Sequence, residues 1–157
     1  MAAKGYTIEP MRPTTVAFEV LMEESRQEGY RMLVRLHDAW VHGRNRFSGR
    51  PEMLLGVYQE GVLVGVGGLN VDPYFAGADA GRVRHLYVAK AHRRSGIGRS
   101  LVSAIIDRAR AHFASLNARA PAESFAFYES LGFRRVADNE FVTHRMVLTD
   151  AGTGKAS

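Results

Sequence analysis

The 157 residues of this chain include no cysteine. Disulfide bonds, thiolate zinc ligands and a cysteine nucleophile are therefore excluded. No apolar run approaches the roughly 20 residues that a membrane-spanning helix needs. The start, Met1–Gly5, leads into a polar, charged segment, so no secretory signal is visible. We therefore expect no membrane partner and a cytoplasmic location.

Several ligand-binding motifs are missing as well. The chain has no G-x-x-x-x-G-K-[ST], which excludes a P-loop nucleotidase, and no third glycine completes a dinucleotide-binding G-x-G-x-x-G after Gly96 and Gly98. The six histidines show no H-x-x-x-H or comparable spacing. We therefore expect no metal site.

Basic charge is present, and it is concentrated in one segment. The net charge is +5, yet the stretch from Ala80 to Ile106 carries six lysines and arginines and no acid, which leaves the rest of the chain nearly neutral. A uniformly basic surface would favour nucleic acid, whereas a local cluster favours one compact anionic ligand. A solvated basic face is the alternative. We expect no nucleic-acid partner.

The hydrophobic pattern predicts a single α/β domain over residues 1–148, with helices on both faces of a mixed sheet. Helices are expected at about 15–27, 30–41, 98–113 and 121–131. Strands are expected at about 4–11, 53–58, 62–69, 82–88, 116–120, 133–136 and 141–148. The polar tail 149–157 is predicted to be disordered.

Three glycines, Gly65, Gly67 and Gly68, interrupt one predicted strand. Glycine weakens a strand and often marks the close approach of another backbone or of a ligand. A bulge or tight helix–sheet packing explains the same pattern, and both alternatives stay open from the sequence.

The segment most indicative of function joins the strand at 82–88 to the helix that starts near Gly98. Amide groups at a helix start have no intrahelical partner, and the helix dipole adds positive charge there. Gly96 and Gly98 let a pyrophosphate approach the main chain, and nearby arginines supply charge-assisted hydrogen bonds. An ordinary tight turn is the alternative for a G-x-G alone.

Two motifs together resemble the GCN5-related N-acetyltransferase (GNAT) family. The first is Arg93-x-x-Gly96-x-Gly98 after a central strand. The second is the stretch from Phe127 to Phe133, F-Y-E-S-L-G-F, which is similar to the late helix end of that family. The order of elements agrees over about Tyr6–Leu148. The resemblance implies a mixed, mostly antiparallel central sheet flanked by helices, with a V-shaped splay between the strands at 82–88 and 116–120.

The resemblance also implies acetyl-CoA as cosubstrate, bound in that splay. The strand 82–88 would pair with the pantetheine amides and the loop before the helix would hold the pyrophosphate. The cofactor-binding residues expected on this basis are Leu86, Tyr87, Val88, Arg93, Arg94, Ser95, Gly96, Ile97, Gly98, Arg99 and Ser100.

The reaction implied is direct attack of a primary amine on the thioester in a ternary complex, with Tyr128 as general acid. A buried helix-end aromatic is the alternative for Tyr128. Family positions that carry a base in some members hold arginine here, and arginine stays protonated. Strict alternation places His85 on the face opposite Arg84, so we interpret His85 as structural. Asp72 is the candidate base and Asn117 the candidate water relay, with a water-mediated route as the default.

The residues that correspond to the acceptor-binding wall of the family are Trp40, Asn45 and Phe47. For each residue taken alone, core packing or a solvated loop is the alternative explanation. Arg84, if it faces the cleft, would favour an acceptor with a carboxylate or phosphate. A small-molecule amine is preferred as acceptor. A protein N-terminus or lysine, and a CoA-binding module without catalysis, are the alternatives. Many relatives dimerise, so a homodimer is a candidate assembly.

Overall fold

Within the part of the chain that the structure describes, seven strands form one sheet; numbered along the chain, they lie side by side in the order β1-β2-β3-β4-β5-β7-β6. This architecture comes from a computed structural model, which describes residues 5–148. The predicted tail at 149–157 lies outside the described residues. The elements are β1 (Thr7–Pro10), α1 (Val16–Gln27), α2 (Met32–Val41), β2 (Met53–Gln59), β3 (Val62–Val71), β4 (Ala80–Val88), α3 (Ile97–Arg110), β5 (Ser115–Ala118), α4 (Phe125–Ser130), β6 (Arg134–Arg135) and β7 (His144–Val147).

Local sequence signals set the helix starts. Thr15 caps α1, because its hydroxyl accepts a hydrogen bond of 3.2 Å from the Phe18 amide. Gly96 precedes α3 in the left-handed region, with φ of +88°, a conformation that only glycine adopts without strain. The helix predicted at 121–131 is a short 3-10 turn, Ala122–Ser124, followed by α4.

The sheet is mixed and mostly antiparallel, as predicted. All neighbouring strands pair antiparallel except β4 and β5, which pair parallel. The β4–β5 pairing covers Ala80 to Arg82 on β4 and Ser115 to Asn117 on β5, while β4 itself continues to Val88. The second half of β4 therefore extends past its pairing with β5.

A β-bulge interrupts β4 in that second half. Val66 pairs with Tyr87 and Gly68 pairs with Arg84, so β4 uses one residue more than β3 across the same span. His85 lies within the bulge with φ of +58°. This left-handed conformation costs an L-residue roughly 1–2 kcal/mol.

The glycines of β3 are explained by packing. A Cβ on Gly65 would lie 3.1 Å from Ile97, and one on Gly67 would lie 3.4 Å from Ile105, so α3 packs directly on the strand. A Cβ on Gly68 would approach Phe47 to 2.7 Å on its side of the sheet. Tight packing, rather than a ligand, accounts for these three positions.

Two apolar clusters form the core. One packs α1 and α2 on the sheet around Phe18, Leu33 and Leu36. The other packs α3 and the β5–β7 end of the sheet around Ile105 and Leu116. Within residues 5–148, no helix has the length and hydropathy needed to cross a membrane.

Candidate functional site

A cavity of about 610 Å³ opens where β4 extends past β5. That volume is in the usual range for a small-molecule or cofactor site. Four segments line it: the α1–α2 connection, the end of β4, the start of α3, and the chain from β5 into α4. The lining residues are Tyr30, Met32, Val83, His85, Leu86, Tyr87, Val88, His92, Arg93, Arg94, Gly96, Gly98, Arg99, Arg119, Pro121, Glu123, Ser124, Phe127 and Tyr128.

The loop before α3 forms an anion-binding cradle. Arg94 has φ of +65° and Gly96 has φ of +88°, so the backbone turns in left-handed steps just before the free amides of the helix start. Such backbone turns and helix N-termini bind anions. Arg94 and Arg99 line the cavity here, and Arg99 donates to the Ser130 hydroxyl at 3.0 Å. These features fit the pyrophosphate of a CoA ester.

Three of the predicted cofactor residues do not face the cavity, because they pack in the core or bond to the backbone of the same loop. Ile97 is buried and packs against Gly65, so its side chain belongs to the core. The Ser95 hydroxyl donates to the His92 carbonyl, and the Ser100 amide bonds to the Gly96 carbonyl at 2.9 Å. Ser95, Ile97 and Ser100 are not part of the cavity lining, whereas the other predicted cofactor residues are.

Arg93 is held by protein groups. Its guanidinium donates to both carboxylate oxygens of Glu28, at 3.0 and 2.6 Å, and its Nε donates to the Val88 carbonyl at 2.9 Å. The Arg93 guanidinium also lies over the Tyr87 ring, 5.3 Å from its centroid, which is within the distance of a cation–π contact. Glu28 thus offsets the Arg93 charge, and of the three arginines between the end of β4 and the first turn of α3, Arg94 and Arg99 are left to face a phosphate.

Tyr128 lies in the cavity wall opposite the end of β4. The residue is 5% exposed, and its ring contacts the rings of Phe127 and Phe133 edge-on. Within residues 5–148 its hydroxyl has no hydrogen-bond partner, and it is not enclosed. Burial raises the pKa of Tyr128. The phenol therefore stays protonated at neutral pH.

Asp72 has a structural position, which corrects its prediction as a base. Its side chain has no exposed surface; one oxygen accepts from Arg82 at 3.0 Å and the other from Asn117 at 2.7 Å. Burial alone would raise the pKa of Asp72, but hydrogen bonds from Asn117, the Tyr74 amide and Arg82 together hold it below its ordinary value. Neither Asp72 nor Asn117 lines the cavity, and Asn117 accepts a further hydrogen bond from Arg145 at 2.7 Å. A buried carboxylate committed in this way cannot accept a proton from an amine.

The predicted acceptor residues lie apart from the cavity. Trp40 and Phe47 line a second cavity of about 500 Å³ beside β1 and β2. Asn45 and Asn70 exchange two amide hydrogen bonds, at 2.8 and 3.1 Å. Arg84 donates to the same Asn70 oxygen at 3.3 Å and does not line the main cavity. Phe47 comes nearest, because its ring contacts that of His85.

His85 lines the cavity, which alternation along a straight strand did not predict. The bulge places Arg84 and His85 on the same side of β4: Arg84 contacts the Asn45–Asn70 pair after α2, and His85 bonds the Met32 carbonyl at the start of α2. The next residue, Leu86, lies on the other side with Ile105 of α3. The prediction that His85 and Arg84 lie on opposite faces of β4 was therefore wrong.

Tyr30 and Glu123 are further residues that the sequence did not single out. The Tyr30 hydroxyl donates to a Glu123 carboxylate oxygen at 2.7 Å, which joins the α1–α2 connection to the chain after β5. Both residues line the cavity. Among residues 5–148, no cluster of histidine and carboxylate side chains has an arrangement that could hold a metal ion.

Comparison with known proteins identifies the family. A family model described as an acetyltransferase (GNAT) domain matches residues 21–150. The chain belongs to the GNAT family of acetyltransferases. No curated protein sequence matches it.

Solved structures have the same GNAT fold. A proposed acetyltransferase from Exiguobacterium sp. 255-15 is 25% identical, with a TM-score of 0.79 over 90% of this chain and 93% of that one. The yncA protein of Salmonella typhimurium, a proposed acetyltransferase solved with its cofactor acetyl-CoA, is 20% identical, with a TM-score of 0.70 over 98% and 100%. The ribosomal-protein-alanine N-acetyltransferase of Brucella melitensis is 22% identical, with a TM-score of 0.66 over 90% and 99%.

Proposed function

We propose that this GNAT chain is an N-acetyltransferase that uses acetyl-CoA to acetylate a primary amine by direct attack in a ternary complex. One observation carries the proposal: the anion cradle before α3 and the Tyr128 hydroxyl open into the same cavity. A CoA ester is an anion at one end and a thioester at the other, so its site needs an anion-binding group and a proton donor in the same cavity.

The cofactor-holding roles follow from the cavity wall. Amides at the start of α3, with Arg94 and Arg99, would hold the pyrophosphate. The main chain of Leu86 and Val88 lies where β4 extends past β5, and an extended pantetheine chain would pair with it as an added strand. The Val88 carbonyl already accepts from Arg93, and its second lone pair is available to a ligand. A splay of β4 from β5 is the shape that this model of binding requires.

Tyr128 would be the general acid. Its hydroxyl is protonated at neutral pH and has no hydrogen-bond partner among residues 5–148, so it can donate a hydrogen bond, and then the proton, to the departing sulfur. No cysteine is present to form an acetyl-enzyme. Bound acetyl-CoA supplies the activated acetyl group.

A small-molecule amine is the acceptor that we prefer. The carboxylate in the lining of the cavity, Glu123, is bonded to Tyr30 rather than arranged along a groove for a basic peptide. Protein N-terminal or lysine acetylation is the second candidate, because the Brucella melitensis relative is named for acetylation of a ribosomal-protein alanine. Proton removal from the amine through water remains our model, since Asp72 is committed elsewhere.

The test is a CoA-release assay on the purified protein with acetyl-CoA and a panel of L-amino acids, amino-acid amides, polyamines and short peptides. We expect turnover with members of one class. Stabilisation by acetyl-CoA without release of CoA on any amine would instead support a binding module.

Tyr128→Phe separates the proposed acid from a packing residue. We expect kcat to fall by about 10²–10⁴-fold, the range typical of a lost acid–base group, with acetyl-CoA affinity preserved because the ring remains. Tyr74→Phe, which changes an exposed tyrosine outside the cavity lining, is the matched control. Equal losses of cofactor affinity and kcat would show that Tyr128 is structural.

A further inference from the structure

The bulge in β4 places an imidazole in the wall of the cavity, on the side of the sheet where α2 packs. His85 occupies the extra residue, and its side chain turns toward the start of α2 instead of toward α3. The ring contacts Phe47 edge-on, with centroids 6.2 Å apart, and lines the same cavity as Tyr128. A straight β4 would have sent this side chain to the other face of the sheet.

The hydrogen bond to Met32 fixes the tautomer of His85. Its Nδ1 lies 3.0 Å from the Met32 carbonyl oxygen. A carbonyl oxygen only accepts, so Nδ1 must carry the hydrogen and Nε2 must carry the lone pair. Within residues 5–148, Nε2 has no hydrogen-bond partner, and it is not an enclosed atom. It is therefore an acceptor open to the cavity.

The surroundings keep this imidazole uncharged. Burial, together with the positive charges of Arg84 and Arg35, lowers the pKa of His85 to about 3. In the part of the chain that the structure describes, no carboxylate acts on the ring to stabilise an imidazolium. His85 is thus poorly suited to store a proton, and well suited to accept a hydrogen bond at any pH near neutrality.

We propose that His85 is a catalytic residue that orients the acceptor: its Nε2 accepts a hydrogen bond from the N–H of the attacking amine, while Nδ1 stays bonded to Met32. This inference rests on the proposed acetyltransferase function. Because His85 holds one N–H of the amine, the lone pair of the amine nitrogen is directed away from the imidazole and into the cavity that Tyr128 also lines.

The proton balance fits a neutral His85. When a neutral amine attacks, the nitrogen–carbon bond forms, the carbon–sulfur bond breaks, the nitrogen loses one hydrogen and the sulfur gains one. The amine proton replaces the one that Tyr128 gives to sulfur, through water in the cavity, so no residue must retain it. An acceptor that arrives as ammonium gives its additional proton to solvent first.

His85→Asn is the test. Like Nδ1 of histidine, the side-chain nitrogen of asparagine is bonded to Cγ and can donate to the Met32 carbonyl, and asparagine tolerates the left-handed backbone. Asparagine has no hydrogen-bond acceptor at the position of Nε2. We expect kcat/KM for the best amine of the panel to fall about tenfold or more. Acetyl-CoA affinity and Tm should match the wild type. His37→Asn, on α2 away from the cavity lining, is the matched control.

The outcomes separate the two proposals. An active wild type with an equally active His85→Asn variant overturns the role of His85 alone. A wild type that acetylates no amine overturns the proposed function, and the role of His85 with it. A loss of acetyl-CoA affinity in His85→Asn equal to its loss of kcat/KM shows a structural role and also overturns the inference.

Nitrogen NMR of the wild-type imidazole gives a readout that does not depend on a variant folding. We expect His85 to show a protonated Nδ1 and an unprotonated Nε2 at pH 7. Addition of the best amine to the complex with CoA should shift the Nε2 resonance in the direction of an accepted hydrogen bond. A protonated Nε2, or no shift at a saturating amine concentration, overturns the proposal.

Discussion

Asp72 shows how one residue can serve stability beside a functional cavity. Its carboxylate joins β3 to Arg82 of β4 and Asn117 of β5. The Arg82 guanidinium lies 4.8 Å from the Tyr74 ring centroid and also donates to the Phe141 carbonyl at 2.7 Å. By binding both Arg82 and Asn117, the Asp72 carboxylate bridges β4 and β5, the two parallel strands among residues 5–148, at the point where their pairing ends.

Replacing Asp72 by asparagine should destabilise the protein by roughly 3–5 kcal/mol, because Arg82 would remain buried without its counter-charge. Urea unfolding at pH 7 measures the loss. Asp79→Asn, an exposed change in the neighbouring loop, should alter stability by at most about 0.5 kcal/mol. Equal stabilities of Asp72→Asn and the wild type would contradict the importance of the ion pair.

The same residue predicts a pH dependence. The folded-state pKa of Asp72 is below its unfolded value of about 3.9. Its stabilising contribution is therefore complete above about pH 4 and is lost as the pH falls through the lower, folded-state pKa. The difference in stability between wild type and Asp72→Asn should narrow below about pH 4, and a constant difference down to pH 2 would contradict this linkage.

At the scale of an element, the start of α3 offers fewer free arginines to the proposed cofactor phosphates than the sequence indicates. Arg93 is bound by Glu28 of the α1–α2 connection, and so it positions the end of β4. Arg94 and Arg99 remain to interact with phosphate oxygens.

Arg94→Ala should therefore weaken acetyl-CoA binding by about tenfold, as the loss of a hydrogen bond to a charged group implies, without lowering Tm, because Arg94 is exposed. Isothermal titration at two salt concentrations measures the change. Arg110→Ala, at the other end of α3, is the control and should bind as the wild type does. Unchanged affinity in Arg94→Ala would contradict the placement of the cradle.

The elements themselves were largely predictable. Two local signals lie in this region: the period of apolar residues predicted the helix α3, and the Gly96–Gly98 motif predicts an anion site at its start. The Arg93–Glu28 pair joins residues 65 positions apart, and the bulge at His85 has no glycine to mark it. These features depend on tertiary contacts that no local pattern contains, so alternation gave the wrong face for His85.

At the scale of the whole molecule, the cavity is bounded by both halves of the chain. Tyr30 belongs to the part that packs with the first apolar cluster, and Glu123 follows β5 in the part that packs with the second. Their 2.7 Å hydrogen bond joins residues 93 positions apart. It joins the α1–α2 connection, in one wall of the cavity, to the segment that leads into Tyr128.

Tyr30→Phe should remove this connection while keeping the ring contact with Tyr87. We expect faster amide exchange at residues 28–32 and 121–124, with Tm nearly unchanged because the pair is exposed to solvent. Hydrogen–deuterium exchange by mass spectrometry measures both segments. Tyr58→Phe, in the second cavity, is the control. Wild-type exchange in both segments would show that the hydrogen bond does not restrain the cavity walls.

The bulge in β4 also determines how this chain should be aligned with its relatives. Within β4 the residues before His85 and those after it follow different phases of alternation, so a gap-free alignment to a straight strand would match side chains from opposite faces. Deleting His85 should remove that mismatch physically: Arg84 and Leu86 would become neighbours in a straight strand, so Leu86 would still face α3 and Tyr87 would keep Glu24 and Glu28, while the imidazole would be lost from the cavity wall. Against any straight strand, the bulge thus sets which side chains of β4 correspond on the cavity wall.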